Sequence, residues 1–221
     1  MDVYGSEAAC AVCKHGQEEP SLAIRICGAD AEEELAREGV RLQPGVLLSA
    51  VRIVVSGDVT ATKAFREGRI RVQDEGSQLI GEIVARVGAN LVEGAANIID
   101  ACAAPGGKTL ILAERNPDAQ IVACEASESR FEALRTRVAP LRGRIECRLA
   151  DATALDYGSG FDLVLADVPC SGTGTLGRNP EIRHRLSERD LARHSERQRL
   201  ILASALRAAR PGGRVVYSTC S

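Results

Sequence analysis

Asp100-Ala-Cys-Ala-Ala-Pro-Gly-Gly-Lys-Thr109 decides the fold of this 221-residue chain. It follows the β-branched run Asn97-Ile98-Ile99 and runs into the apolar sequence Leu110-Ile111-Leu112. The spacing predicts a strand over 97–100, a tight glycine turn, and a helix over about 107–116. Gly106 and Gly107 allow backbone to approach a ligand closely, and the helix start offers free N–H groups. A phosphate cradle of the G-x-x-x-x-G-K-[ST] type would need glycine where Cys102 stands, and the dinucleotide pattern G-x-G-x-x-G is absent. The turn therefore suits a nucleotide-like ligand without phosphate. S-adenosylmethionine, a nucleoside joined to an amino acid through a sulfonium, is such a ligand.

Outward from this turn, strand-like and helix-like segments alternate. Strands are expected at Gln120–Glu125, Ile145–Asp151, Phe161–Asp167 and Arg214–Thr219, with helices over about 128–139 and 188–210. In the last helix Leu191, Leu200, Ile201 and Leu206 are expected to face inward. Strands rich in Val, Ile and Leu joined by helices imply an α/β fold, a parallel sheet covered on both faces. Asp100, Glu125, Asp151 and Asp167 each close a predicted strand, and ligands of open α/β sheets bind beyond those ends. Glu125 is placed to accept from ribose hydroxyls, and Asp151 from an adenine amino group.

Upstream, residues 1–20 show no clear period and are left unassigned. A strand at Leu22–Cys27, a helix capped by Asp30 and ended by Gly39, a strand over Val46–Val55 and a short strand in Arg69–Asp74 suggest a small α+β lobe over 21–75. A helix from Ser77 to Val87 then opens the larger domain, 76–221.

Composition excludes several classes. Apolar residues make up 45% and charged residues 26%, which supplies a core and argues against a disordered chain. No apolar run reaches the roughly 18 residues a membrane span needs, and the start lacks a signal-peptide pattern, so a soluble cytoplasmic protein is expected. The formal charge is -2, yet only Lys14, Lys63 and Lys108 are lysines, and arginine gathers in 130–148 and 178–214. Such local excess attracts phosphate. With three Phe, three Tyr and no Trp, aromatic base stacking cannot dominate any RNA binding. The eight cysteines are dispersed and do not read as a disulfide framework. Cys10 and Cys13 with His15 have a metal-like look, but no second pair follows, and no metal is expected.

The segments DACAAPGGKT (100–109), ADVPCSGTGTLGRNPEIRHR (166–185) and VVYSTCS (215–221), with GRIRVQDEGSQL (68–79) before them, resemble the Sun/RsmB (Nop-Sun) family of S-adenosylmethionine-dependent RNA 5-methylcytosine methyltransferases. The resemblance covers about Gly68 to Ser221 and implies a Rossmann-like methyltransferase sheet. The lobe before it is weakly similar to the family's RNA-binding lobe. By resemblance, Cys102, Ala103, Ala104, Pro105, Gly106, Gly107 and Lys108 hold the methionine end of the cofactor. Glu125, where the family usually has Asp, takes the ribose, and Asp151 takes the adenine side. Asp167 is the acid of the D-x-P-C motif and is counted with both the cofactor and the chemistry. Lys108 is set against Asp167 or the substrate. Cys220 matches the nucleophile and Cys170 the cysteine that assists product release. The implied partner is RNA, ribosomal RNA from the bacterial members and transfer RNA as the alternative, acted on by a monomer. The family fold continues past Cys220, so a chain truncated at a sheet edge is also expected.

The chemistry accounts for this residue set. Carbon 5 of cytosine is a poor nucleophile. A thiolate added at carbon 6 turns it into an enamine carbon able to attack a sulfonium methyl, which divides one hard step into easier ones. An acid at the ring's amidine edge stabilises the adduct, and a base then removes the carbon-5 proton. Spacing alone leaves the attacking thiol open, because Pro169-Cys170 matches the attacking motif of DNA cytosine-5 methyltransferases. Arg178 and Arg183, after a glycine-rich loop, are placed to meet RNA phosphate. A non-catalytic RNA-binding fragment of the fold and a DNA or protein methyltransferase are the other classes.

Overall fold

The computed structural model describes residues 5–18, 20–90, 95–156 and 158–220. The elements run α1 (Gly5–His15), β1 (Ala23–Ile26), α2 (Ala31–Arg37), β2 (Arg41–Pro44), β3 (Val51–Ser56), α3 (Lys63–Arg66), β4 (Ile70–Val72) and α4 (Glu75–Ala89). They continue with β5 (Asn97–Asp100), α5 (Gly107–Arg115), β6 (Gln120–Glu125), α6 (Glu128–Arg137), β7 (Ile145–Leu149), β8 (Phe161–Asp167), α7 (Ile182–Arg185), α8 (Glu188–Ala208) and β9 (Ala209–Ser218). Ser221, the last residue of the VVYSTCS segment, and the side chain of His15 lie outside the described residues.

The expected parallel sheet is present, with five strands in the order β7-β6-β5-β8-β9. Alternation along each strand sends side chains to opposite faces. Ile98, Ile121, Ala123, Leu163 and Leu165 pack against α4, α5 and α6. Ile99, Cys124, Val164 and Ala166 pack against α8. Burying each large aliphatic side chain is worth about 1.5–3 kcal/mol. The chain leaves β5 outward to β6 and β7, then returns to place β8 on the other side of β5. That reversal opens a crevice at the carboxyl ends of β5 and β8.

An antiparallel sheet ordered β2-β3-β1-β4 lies within residues 23–72, over the core of Ile24, Leu35, Val40 and Ile70. Arg25 on β1 is 3% exposed and ties this sheet to the larger one. Its Nη2 lies 2.7 Å from Glu82 Oε1 on α4, and its Nε donates to Glu114 Oε2 on α5 at 3.1 Å. Arg71 of β4 joins Glu114 as well. Removing one partner of such a cluster strands the others. Arg25→Ala is therefore expected to cost about 2–4 kcal/mol, below the fully buried case because the carboxylates stay partly hydrated. A lowered urea midpoint checks this.

Several local expectations are corrected. Residues 5–15 form a helix that their composition conceals. The strand expected over Val46–Val55 begins only at Val51, because Glu75 accepts the N–H groups of Val46, Leu47 and Leu48 and bends 45–50 into a turn. β2 is an unforeseen strand. β9 starts at Ala209 rather than Arg214; Pro211 is tolerated because it falls in the register shift between the pairs Phe161–Ala209 and Leu163–Arg214, outside the regular ladder. On α8, Ile201 is buried, but Leu191, Leu200 and Leu206 are exposed. The buried stripe is Ile201, Ser204, Ala205 and Ala208, and these mostly small side chains let the helix lie close to the sheet.

Candidate active site

The glycine turn is held by main-chain bonds on both sides. Ala101 N–H donates to Leu165 O and Ala103 N–H to Cys124 O, each at 2.8 Å. Gly106 has φ +99°, a left-handed conformation that favours glycine, and a Cβ on Gly107 would lie 2.9 Å from the Gln73 amide. The two glycines thus serve curvature and close packing on the strand β4–helix α4 junction.

Asp100 lies beneath this turn, 1% exposed. Its Oδ2 accepts from Thr109 Oγ1 at 2.7 Å, while Oδ1 has no partner. Burial pushes its pKa up to about 6, against the pull of the Thr109 bond. The folded protein therefore keeps a proton that the unfolded chain releases above about pH 4. Stability from this group is full below that pH and is lost as pH rises through about 6, a change of about 3 kcal/mol. Asp100→Asn keeps an acceptor for Thr109 and should abolish that part of the decline, read from denaturant midpoints of both proteins between pH 4 and 8.

At the end of β8, Asp167 is clasped from two sides. Lys108 Nζ is 2.7 Å from its Oδ2, and Ser218 Oγ of β9 donates to its Oδ1 at 2.7 Å. Lys108 also donates to Ser77 Oγ at 2.8 Å, so α4, α5, β8 and β9 converge on one carboxylate. Beyond it, Cys170 and Cys220 stand as thiols in the wall of one cavity, and Gly172 N–H donates to Cys170 Sγ at 3.3 Å. Burial first, then the neighbouring Cys170 and Asp167, push the Cys220 thiol up to about 11. Burial and the acids Asp100, Glu125 and Asp167 push Cys102 up to about 12, which leaves it an inert thiol.

A cavity of about 430 Å³ opens over these groups. It brings together the expected residues Cys102, Ala104, Glu125, Asp167, Cys170 and Cys220. A second cavity of about 220 Å³ lies on the other side of the turn, with Ala103, Ala104, Pro105, Gly107, Lys108 and Asp167 in its wall. Gly106 lines neither, and acts through backbone conformation. Asp151 also lines neither. Its Oδ1 accepts from Thr153 N–H at 2.9 Å, which lowers its pKa, and faces Arg197 at 4.0 Å, while its neighbours Ala150 and Ala152 form the wall.

The sequence carries no comparable signal for four participants. Arg130 donates to Ala104 O at 2.9 Å and stands 3.5 Å from Glu125 Oε2. Arg197 reaches the larger cavity from α8. Ser77 and Ser218 position the Lys108–Asp167 pair. Arg178 and Arg183 each engage part of their guanidinium within the protein. They bind Asp74, Ser21 O and Gly16 O. Among the described residues, no group of three or more His, Cys, Asp or Glu is placed to hold a metal, and no helix is long and apolar enough to cross a membrane.

The family described as 16S rRNA methyltransferase RsmB/F matches residues 90–221. The chain is 35% identical over 204 residues to the ribosomal RNA small subunit methyltransferase B of Xanthomonas campestris pv. campestris, covering 89% of this chain and 45% of that protein. It is 37% identical over 167 residues to the protein of the same name from Vibrio cholerae, covering 74% of this chain and 37% of that one. The chain thus spans less than half the length of these curated relatives. The crystal structure of PH0851 superposes with a TM-score of 0.87 at 28% identity, covering all of this chain and 51% of that one. NSun6 from Pyrococcus horikoshii with SFG superposes with a TM-score of 0.83 at 20% identity over all of this chain and 81% of that one, a likeness of fold.

Proposed function

Since this chain belongs to the RsmB/F family of 16S rRNA methyltransferases, we propose that it transfers a methyl group from S-adenosylmethionine to carbon 5 of a cytosine in small-subunit ribosomal RNA, through an adduct on Cys220. The observation that carries this reading is one cavity bordered by Glu125, Asp167 and the two thiols of Cys170 and Cys220.

The residues fit the cofactor. Ala101, Ala126, Ala150, Ala152 and Pro169 give an apolar wall for a purine. Glu125 takes Ser127 N–H on Oε1 at 2.9 Å and has lone pairs left for a ribose diol. When bound, S-adenosylmethionine supplies an electrophilic methyl group.

Cys220 gives its proton to solvent water, and its sulfur bonds to carbon 6 of the flipped cytosine. The 5,6 double bond opens, and its electron pair makes carbon 5 nucleophilic. Asp167, held by Lys108 and Ser218, is aimed to hydrogen-bond the amidine edge while charge redistributes. After carbon 5 is methylated, its proton passes to a water molecule acting as base. The C–H pair re-forms the double bond, and the C6–S bond breaks to return the Cys220 thiolate, with Cys170 supporting this release.

The test is transfer of labelled methyl to small-subunit ribosomal RNA, followed by nucleoside analysis. Label in 5-methylcytosine is expected. Label on ribose, DNA or protein, or no transfer, overturns the reading. RNA carrying 5-fluorocytosine, which has no removable proton at carbon 5, should be retained as a covalent complex.

A further inference from the structure

The loop that begins at Cys170 is fastened at its far side to the stretch before β1. Arg183 Nη2 donates to Gly16 O at 2.6 Å. Arg178 Nη2 donates to Ser21 O at 3.2 Å, and Arg178 also pairs with Asp74, the residue before α4. Between these two arginines and Cys170, Gly177 lies so close to Glu18 and Pro20 that a Cβ would collide with the Glu18 carbonyl oxygen and come within 3.2 Å of Pro20 Cδ. Gly16 in turn faces Leu176. The bonds span sequence separations of 157 and 167 residues, so they are tertiary closures rather than local turns.

The loop is also stiff within itself. Thr175 Oγ1 donates to Gly172 O at 2.7 Å, Asn179 Nδ2 donates to Thr175 Oγ1 at 3.1 Å, and a Cβ on Gly172 would lie 2.9 Å from Ile182. At its start, Gln198 of α8 donates to Pro169 O at 3.0 Å, and Gly172 N–H caps the Cys170 sulfur. These bonds link Cys170 to Gly172, Gly172 to Thr175 and Thr175 to Asn179, so the fastened end of the loop is coupled to Cys170, which shares its cavity wall with Cys220.

We infer that Gly16, Glu18, Pro20 and Ser21 act as a strap that sets the position of Cys170, and that Arg178 and Arg183 are positioning residues for release of the methylated base. This rests on the proposed function for its catalytic half. Its structural half does not, because the strap and loop can be observed without RNA. Neither arginine lines the cavity over the thiols, so their effect passes through the loop.

The test combines an exchange measurement and a kinetic one on the double variant Arg178→Ala/Arg183→Ala. In the free protein, amide hydrogen exchange over 172–182 should quicken by about tenfold or more, as two cross-links are lost, while β5 and β8 stay unchanged. With RNA, kcat should fall by about tenfold with KM for S-adenosylmethionine within about twofold, and RNA already methylated at the target cytosine should accumulate as a covalent complex that the wild type releases. Arg183→Lys keeps a donor for Gly16 O and should exchange nearly as slowly as wild type. Unchanged exchange in the double variant overturns the strap. Faster exchange with normal turnover and no retained RNA overturns its role in release. A wild-type protein that transfers no methyl overturns the functional reading instead, and the exchange result still decides the strap.

Discussion

Cys220→Ala is expected to lower methyl transfer on the order of 10⁴-fold, because it removes the atom that activates carbon 5 rather than one that assists. The neighbouring Cys170→Ala should act differently. The adduct still forms on Cys220, and RNA should remain attached to the protein in denaturing gels. If Cys220→Ala retained RNA and Cys170→Ala did not, the two roles would be reversed. The pH profile gives an independent reading. With the Cys220 thiol pushed up to about 11, the thiolate fraction rises about tenfold per pH unit across pH 7 to 9, and single-turnover rates should follow it. In Cys170→Ala a neighbour that raises the Cys220 pKa is gone, so adduct formation should reach a given rate at lower pH.

Asp167→Asn carries the second large effect. The amide is nearly isosteric and still accepts from Ser218, but it cannot balance Lys108, whose other named partner is the Ser77 hydroxyl. The ammonium then stays in a largely desolvated position, and the group aimed at the base's amidine edge loses its charge. Removing one preorganised electrostatic group costs about 10²–10³ in rate, and that range is expected for kcat/KM. A stability loss of about 1–3 kcal/mol should accompany it. Lys108→Met/Asp167→Asn, which removes both charges, should recover most of the stability and none of the rate. Denaturant midpoints and labelled-methyl transfer separate the two. Equal rates for Asp167→Asn and wild type would remove Asp167 from the chemistry.

The glycine turn and the alternating strands and helices were legible because both rest on local rules. β5, β6 and β8 stand at the expected residues, since short continuous aliphatic runs between polar turns fit strands buried on both faces. The lobe before them was less legible. Its strands are short, and a carboxylate 27 to 29 residues away bends Val46–Leu48 out of the strand its composition favours. The inner face of α8 was misread because long leucines were weighed above small residues, while a helix lying close to a sheet selects Ser204, Ala205 and Ala208.

Among the site residues the division follows the same line. The glycine turn and the strand ends brought out Gly106, Gly107, Glu125 and Asp167, and the family resemblance added the rest of Cys102–Lys108 with Cys170 and Cys220. That Lys108 turns to Asp167 of the two partners expected for it, that Asp151 turns to Thr153 while Arg197 faces it, and that Arg178 and Arg183 hold Ser21 and Gly16 was decided only in three dimensions. A residue's type and its place along a strand are local properties. The partner that neutralises or restrains it is selected by packing between segments dozens to more than a hundred residues apart, and no window of sequence contains both.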